Sequence, residues 1–444
     1  MNKTETPGYK KIWVISYPII LSLIAQNAVN VTDTAFLGRV GEVELGASAI
    51  GGLFYISLFM LGFGFSIGGQ ILIARRNGEK NYHDIGRITD NSMYFLMGMA
   101  LFLFMVIFFF APVILRPLIS SDAIYNASTD FLQYRIYGIF FAYGNVLLRS
   151  FYIGTTKTRV LTYNAIILAG TNIFLDYCMI FGNFGFPQMG IKGAALASSI
   201  SEAVSALFFF SYTIKFTDLK KYNLFRFVKI DWSVIRSTFS ISVFVMMQMF
   251  LSLTGWFIFF MIVEKMGERS LAVSNIIRSI YIVLMIPVFA FGSTTNSLVS
   301  NLIGEGKSDK VMSVILKVVK MNFILIAVLV GISVLIPRLI ISVYTSDVSL
   351  INDTLPVLYV IMTALLLFSF SNILFNGVSG TAKTEIALFI EVITIGIYLI
   401  AAYTYVEVLH LPIYLVWTAE LVYFLILGIL SFLYLRSKLW NKAG

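Results

Sequence analysis

The sequence predicts an all-α membrane protein, with twelve transmembrane helices in two six-helix lobes related by a pseudo-two-fold axis along the membrane normal. Three observations carry this. The 444 residues are 58% hydrophobic and only 12% charged, against roughly 25% charged in soluble domains. Apolar stretches long enough to cross a bilayer recur about twelve times. The second half of the chain repeats the first.

The elements follow in order from their breaks. The first six apolar cores run over 12–36, 48–73, 92–116, 131–153, 160–181 and 191–214. They are separated by GEVELG at 41, RRNGEKN at 75, the Pro112–Asp122 region, GTTKT at 154 and GIKG at 190. The second six run over 236–263, 274–302, 318–343, 355–378, 385–407 and 412–435. Their breaks are GERS at 267, NLIGEGK at 301, the Pro337–Asp347 region, GTAKT at 380 and the turn around His410. The segment Ile12–Ala35 is too long for a signal-peptide core, so it is read as a retained first helix. The domain organisation expected is an amino-terminal lobe over 1–214, a basic cytoplasmic linker over 215–232 and a carboxy-terminal lobe over 233–444.

Charge sets the orientation. Of the 32 Lys and Arg residues, 23 fall in the termini and even-numbered connections, and six in the odd-numbered ones. Positive residues are retained on the cytoplasmic side, so both termini are expected there and the protein in a plasma (inner) membrane, multi-pass. The net charge of +9 is explained by this asymmetry, and no nucleic-acid partner is expected. The single cysteine, Cys178, excludes an internal disulfide, and no Cys/His cluster suggests a metal centre. The connection KFTDLKKYNLFRFVKIDW suits an anionic lipid surface.

GEVELGASAI at 41 returns as GERSLAVSNI at 267, and GTTKT at 154 as GTAKT at 380, both at an offset of 226 residues. Gly78 and Gly304 keep the same offset, and the SD pairs at 121 and 346 depart from it by one. Several ordered matches at one spacing indicate duplication. Six spans per copy give the copies one orientation and a cavity between them, as in transporters that alternate access. GEGKS at 304 is no P-loop: Asn301 stands where the first glycine is needed, and a helix precedes it. An ion gradient is therefore the expected driving force.

Ionisable residues inside spans mark function. Asp33, Asp176, Glu202 and Glu391 qualify, whereas Arg135, Arg149 and Arg278 are assigned to span ends and packing. At 1.5 Å per residue, Asp33 lies roughly 30 Å from Lys11 and Asp176 roughly 26 Å from Arg159. Asn172 is one turn before Asp176, and Ser198 of span 6 reaches a similar depth. These side chains are expected to converge as an oxygen-lined site. Adding 226 turns Asp33 into Phe259, Asn172 into Tyr398 and Asp176 into Ala402, so one ion-coupling site is expected, in the first half. Glu202 and Glu391 are secondary candidates, the latter without an obvious partner. Out of water, Asp33 is expected to hold a proton unless a partner stabilises its charge. The same oxygens suit Na⁺.

Across essentially its whole length the chain resembles the multidrug and toxic compound extrusion (MATE) transporters. The resemblance is carried by Gln26-x6-Asp33-Thr34-x3-Gly38, Asn172-x3-Asp176, GIKGAALASSIS at 190 and the GTTKT/GTAKT pair. It implies a monomeric antiporter, not an enzyme, that exports amphipathic or cationic drugs and toxic compounds against H⁺ or Na⁺, with no other cofactor. Asp33 would bind the coupling ion, with Gln26, Asn172, Asp176 and a span-6 hydroxyl, Ser198 for preference, in its network. Ser252 and Phe368 stand where one branch carries further acids, which points to the DinF-like branch. A lipid-linked saccharide flippase of the same superfamily and an intramembrane aspartyl hydrolase rank below this reading. The spans offer few cations for the first, and the duplication leaves little for the second to explain.

Overall fold

The computed structural model describes residues 7–227 and 229–441. Lys3 and Lys442, which entered the charge asymmetry, lie outside the described residues, as do the extreme ends of both predicted lobes and Val228 of the linker. Among the described residues twelve helices are long and apolar enough to cross a membrane, and none forms a strand. They are α1 (Tyr9–Val40), α2 (Glu42–Gly78), α3 (Tyr82–Leu115), α4 (Asp122–Gly154), α5 (Arg159–Phe181) and α6 (Ile191–Phe216). The second set is α7 (Trp232–Glu264), α8 (Glu268–Gly304), α9 (Ser308–Leu335), α10 (Val348–Gly380), α11 (Thr384–Val408) and α12 (Ile413–Ser437). This is an integral membrane protein.

Several helices outrun their apolar cores. Helix α4 starts at Asp122 instead of 131, and α10 at Val348 instead of 355. The reason is capping. Ser121 accepts the N–H of Ile124, and Asp347 accepts those of Ser349 and Leu350. A capped polar turn is helical without being hydrophobic. The Asp347 carboxyl is held below its ordinary range, first by these backbone donors and then by Arg269. Earlier initiation moves Arg135 from the edge of a span to the middle of α4, beside a single 3₁₀ turn at Ile136–Gly138.

The chain forms two compact units, one of Tyr17–Met246 and the other of Met1–Ser16 with Met247–Gly444. The division passes through α1, beside Pro18, and through α7, and not through the linker predicted over 215–232. In the first unit α2 packs on α4, α3 on α2 and α4, and α6 on α4 and α5. In the second, α8 packs on α10, α9 on α8 and α10, and α12 on α10 and α11. The same helix pairs recur in the same order, which is the duplication expressed as packing.

The linker is built into the first unit. Asp90 of α3 accepts the backbone N–H groups of Phe225, Arg226 and Phe227 at 3.0, 2.8 and 3.2 Å. Asn91 accepts that of Asp231 at 2.7 Å, and Arg87 forms an ion pair with the Asp231 carboxylate. Gly86 is needed at this contact, since a Cβ there would meet the Asn223 carbonyl oxygen at 2.2 Å. The Ser233 hydroxyl and then Arg87 hold the Asp231 carboxyl well below the usual carboxylate range.

Candidate ion site and its neighbours

Helices α5 and α6 lie against each other because α6 opens with small residues. A Cβ on Gly193 would come within 2.6 Å of the Met179 carbonyl oxygen, and Ala197, one turn on, is buried with Cys178 and Met179. Tight packing brings Ser198 to Asn172, whose Nδ2 donates to Ser198 Oγ at 3.3 Å. Asn172 and Asp176 are completely buried, one turn apart on α5. Asp33, half-buried on α1, lies near enough to Asp176 for the two carboxyls to interact electrostatically.

The oxygens of this group lack donors. Asp33 Oδ1, Asn172 Oδ1 and both carboxyl oxygens of Asp176 are buried with no hydrogen-bond partner among protein groups. An unsatisfied buried polar atom costs about 1–3 kcal/mol, so four together are unfavourable as packing. What the group lacks is positive charge or a proton, and with its Nδ2 committed to Ser198 the Asn172 amide is left with its oxygen unpaired. The structure thus gathers Asp33, Asn172, Asp176 and Ser198. Gln26 is exposed and makes no hydrogen bond among the described residues, about 10 Å along α1 from Asp33 at 1.5 Å per residue.

Glu202, one turn beyond Ser198, is held in an ion pair that the span-end assignment of Arg135 did not anticipate. Arg135 donates to both carboxylate oxygens, Nη1 to Oε2 at 2.9 Å and Nη2 to Oε1 at 2.5 Å. The guanidinium lies 3.7 Å from the centroid of the Tyr55 ring, and Tyr55 Oη donates to Glu202 Oε2 at 3.2 Å. Both charged side chains are largely enclosed, at 12% and 14% exposure. Gly138 gives them room, as a Cβ there would fall 2.4 Å from Arg135 Nη1 and from Glu202 Oε2. Ser199 Oγ also donates to the Arg135 carbonyl at 3.2 Å.

Among the described residues the second unit holds two buried acids, Glu391 and Glu420. Glu391 is not without partners: its Oε1 accepts from Ser252 Oγ at 2.6 Å and Tyr423 Oη at 2.7 Å. Glu420, absent from the sequence reading, accepts from Tyr398 Oη at 3.0 Å and Tyr281 Oη at 3.4 Å. It was overlooked because it lies only seven residues into α12. The flanking LVWTA and LVYFL runs were the signal that it belongs to a span. Among the described residues, no three His, Cys, Asp or Glu side chains are grouped to hold a metal ion.

Duplicated six-helix units, each with buried acids, define a class of polytopic membrane protein whose interior groups are matched to charge. Within it the assignment is specific: the chain belongs to the MatE family, whose profile matches residues 18–178 and again 245–404. The second match begins 227 residues after the first, within one residue of the repeat spacing. The chain is 29% identical over 225 residues to the probable multidrug resistance protein NorM of Agrobacterium fabrum, covering 50% of this chain and 48% of that protein. With the probable multidrug resistance protein NorM of Brucella suis it shares 23% identity over 363 residues, 80% of this chain and 75% of that one. The chain thus spans about half the length of the first curated relatives it matches. The fold is similar to that of a MATE crystal structure in complex with MaL6, with a TM-score of 0.91 at 18% identity, covering 98% of this chain and 97% of that chain.

Proposed function

We propose that the protein is a secondary active multidrug efflux antiporter that couples export of amphipathic or cationic compounds to inward movement of H⁺, or Na⁺, by alternating access. The observation that carries this reading is the set of four donorless oxygens on Asp33, Asn172 and Asp176. Two carboxyls in reach of each other repel when both are ionised, and a single bound cation removes the repulsion. The pair titrates as a unit. A loaded pocket is closer to neutral and suits a low-dielectric interior, while an empty one draws in water or a cation. Cation loading thereby biases helix α1 against α5, and a conformational equilibrium can be shifted by the difference in affinity of its states.

The substrate class comes from the NorM relatives and not from the pocket. Assignment to the DinF-like branch rests on Ser252 and Phe368 in place of acids, although Glu391 brings a carboxylate back to Ser252. The plasma (inner) membrane location and cytoplasmic termini rest on the charge asymmetry.

Ethidium export by everted vesicles under a proton gradient tests the assignment. Asp33→Asn is expected to abolish gradient-driven export while leaving the protein in the membrane. Export at the wild-type rate would remove Asp33 from coupling. Replacing Na⁺ by choline distinguishes the ions: unchanged export identifies H⁺, and loss identifies Na⁺.

A further inference from the structure

The Arg135–Glu202 pair stands one turn along α6 from Ser198 and takes no part in the acid group's own contacts. Arg135 is anchored to α6 twice, through Glu202 and through its carbonyl to Ser199. Ser199 and Glu202 follow Ser198, the hydroxyl that accepts from Asn172, within one turn of α6. The Arg135 charge also acts on both Asp33 and Asp176. A cation whose charge is felt by two carboxylates competes with any ion they bind, unless something else holds that charge. Glu202 does this with both of its oxygens. In the second unit the position of Arg135 falls on Val360 or Ile361, both apolar, and that of Glu202 on Gly428, so neither member of the ion pair recurs. The arginine is therefore not required by the packing frame.

We propose that Arg135 and Glu202 are positioning residues that set the cation affinity of the Asp33–Asp176 pair, Glu202 holding the guanidinium so that the acids remain free for the coupling ion. This rests on the reading of Asp33 and Asp176 as the coupling pair. With Glu202 ionised, its charge and that of Arg135 cancel, and the acids supply the net negative charge that attracts H⁺ or Na⁺. Without Glu202, the guanidinium becomes the counter-ion of the acids and the ion must displace it. An opposite charge within about 4–6 Å shifts a carboxyl's proton affinity by about 1–3 pH units.

The charged and titratable groups around the pair are Asp33 on α1, Tyr55 on α2, Tyr143 on α4 beside Tyr55, Asp176 on α5 and Glu202 on α6. Helix α3, which packs on α2 and α4, carries its titratable residues only between Tyr82 and Tyr94.

The test is the pH midpoint of ethidium export in proteoliposomes of the full-length protein, for Glu202→Gln, Arg135→Gln and the double variant, with thermal unfolding to confirm folding. Glu202→Gln is expected to move the midpoint to lower pH by about one unit or more. Arg135→Gln is expected to move it to higher pH, and the double variant to return it near wild type. A pair that only braced the helices would lower stability in all three variants without moving the midpoint in opposite directions. Unchanged midpoints in folded protein, or equal shifts in both single variants, would overturn the proposal. Should a glutamine variant fail to fold, the charge reversal Arg135→Glu with Glu202→Arg keeps the pair. It must then displace the midpoint, because the opposite charge stands nearer α6; a wild-type midpoint there also overturns it. Failure of the coupling assignment itself is read separately, as gradient-driven export by Asp33→Asn.

Discussion

The two units use one packing frame for two different interiors. In the first, α1, α5 and α6 bring together Asp33, Asn172, Asp176 and Ser198. Their equivalents in the second, at the repeat spacing of 226, are Phe259, Tyr398, Ala402 and Phe424. There the Phe259 ring lies 5.5 Å from Tyr398 and 5.1 Å from Trp417, and Trp417 Nε1 donates to Ser274 at 3.0 Å. Where the first unit leaves oxygens unsatisfied, the second fills the space with aromatic rings and satisfies their polar atoms. Its buried acids are each held by two hydroxyl donors, Glu420 by Tyr398 itself with Tyr281 and Glu391 by Ser252 with Tyr423. The lesson is that duplicated scaffolds separate stability from chemistry. One copy is free to keep a costly pocket while the other is packed.

The largest expected effect sharpens this contrast directly. Asp176→Asn is expected to reduce gradient-driven export to background, whereas Glu391→Gln, whose Ser252 and Tyr423 donors still find an oxygen, retains most of it. Equal losses from the two variants would erase the functional difference between the units. A middle-sized effect concerns stability. Glu420→Leu strands the Tyr281 and Tyr398 hydroxyls, and each unsatisfied donor costs about 1–3 kcal/mol. The melting temperature should fall while the cation dependence of export is kept. A shifted ion dependence with no loss of stability would instead make Glu420 a coupling residue.

The smallest effect lies at a helix cap of the second unit. Because the Asp347 carboxyl is held below its ordinary range in the folded chain, its contribution is complete above the unfolded value of about 4. It is lost as pH falls through the lower folded value. Asp347→Ala should therefore lower the melting temperature slightly at neutral pH, and the gap to wild type should close in acid. A gap that widens in acid contradicts the capping role.

The frame and much of the site were legible before any coordinates. Hydropathy counts the spans, and helical rise brings Asp33, Asn172, Asp176 and Ser198 into one group. What was not legible depends on contacts between distant segments. Arg135 was misplaced because a polar capped turn extends α4 below its apolar core. The partner of Glu391 is a tyrosine 32 residues on, and no periodicity announces it. The opposite fates of Glu202 and Asp176, both acids in adjacent helices, turn on whether an arginine reaches them.

The clasp of Asp90 on the linker has an electrostatic consequence. A free connection of that length would present Lys215, Lys220, Lys221, Arg226 and Lys229 as a smeared, fluctuating cloud of charge. Bound to α3 through its own backbone, it presents them as a fixed stencil. Anionic headgroups meeting that stencil would be sorted by spacing as well as by charge.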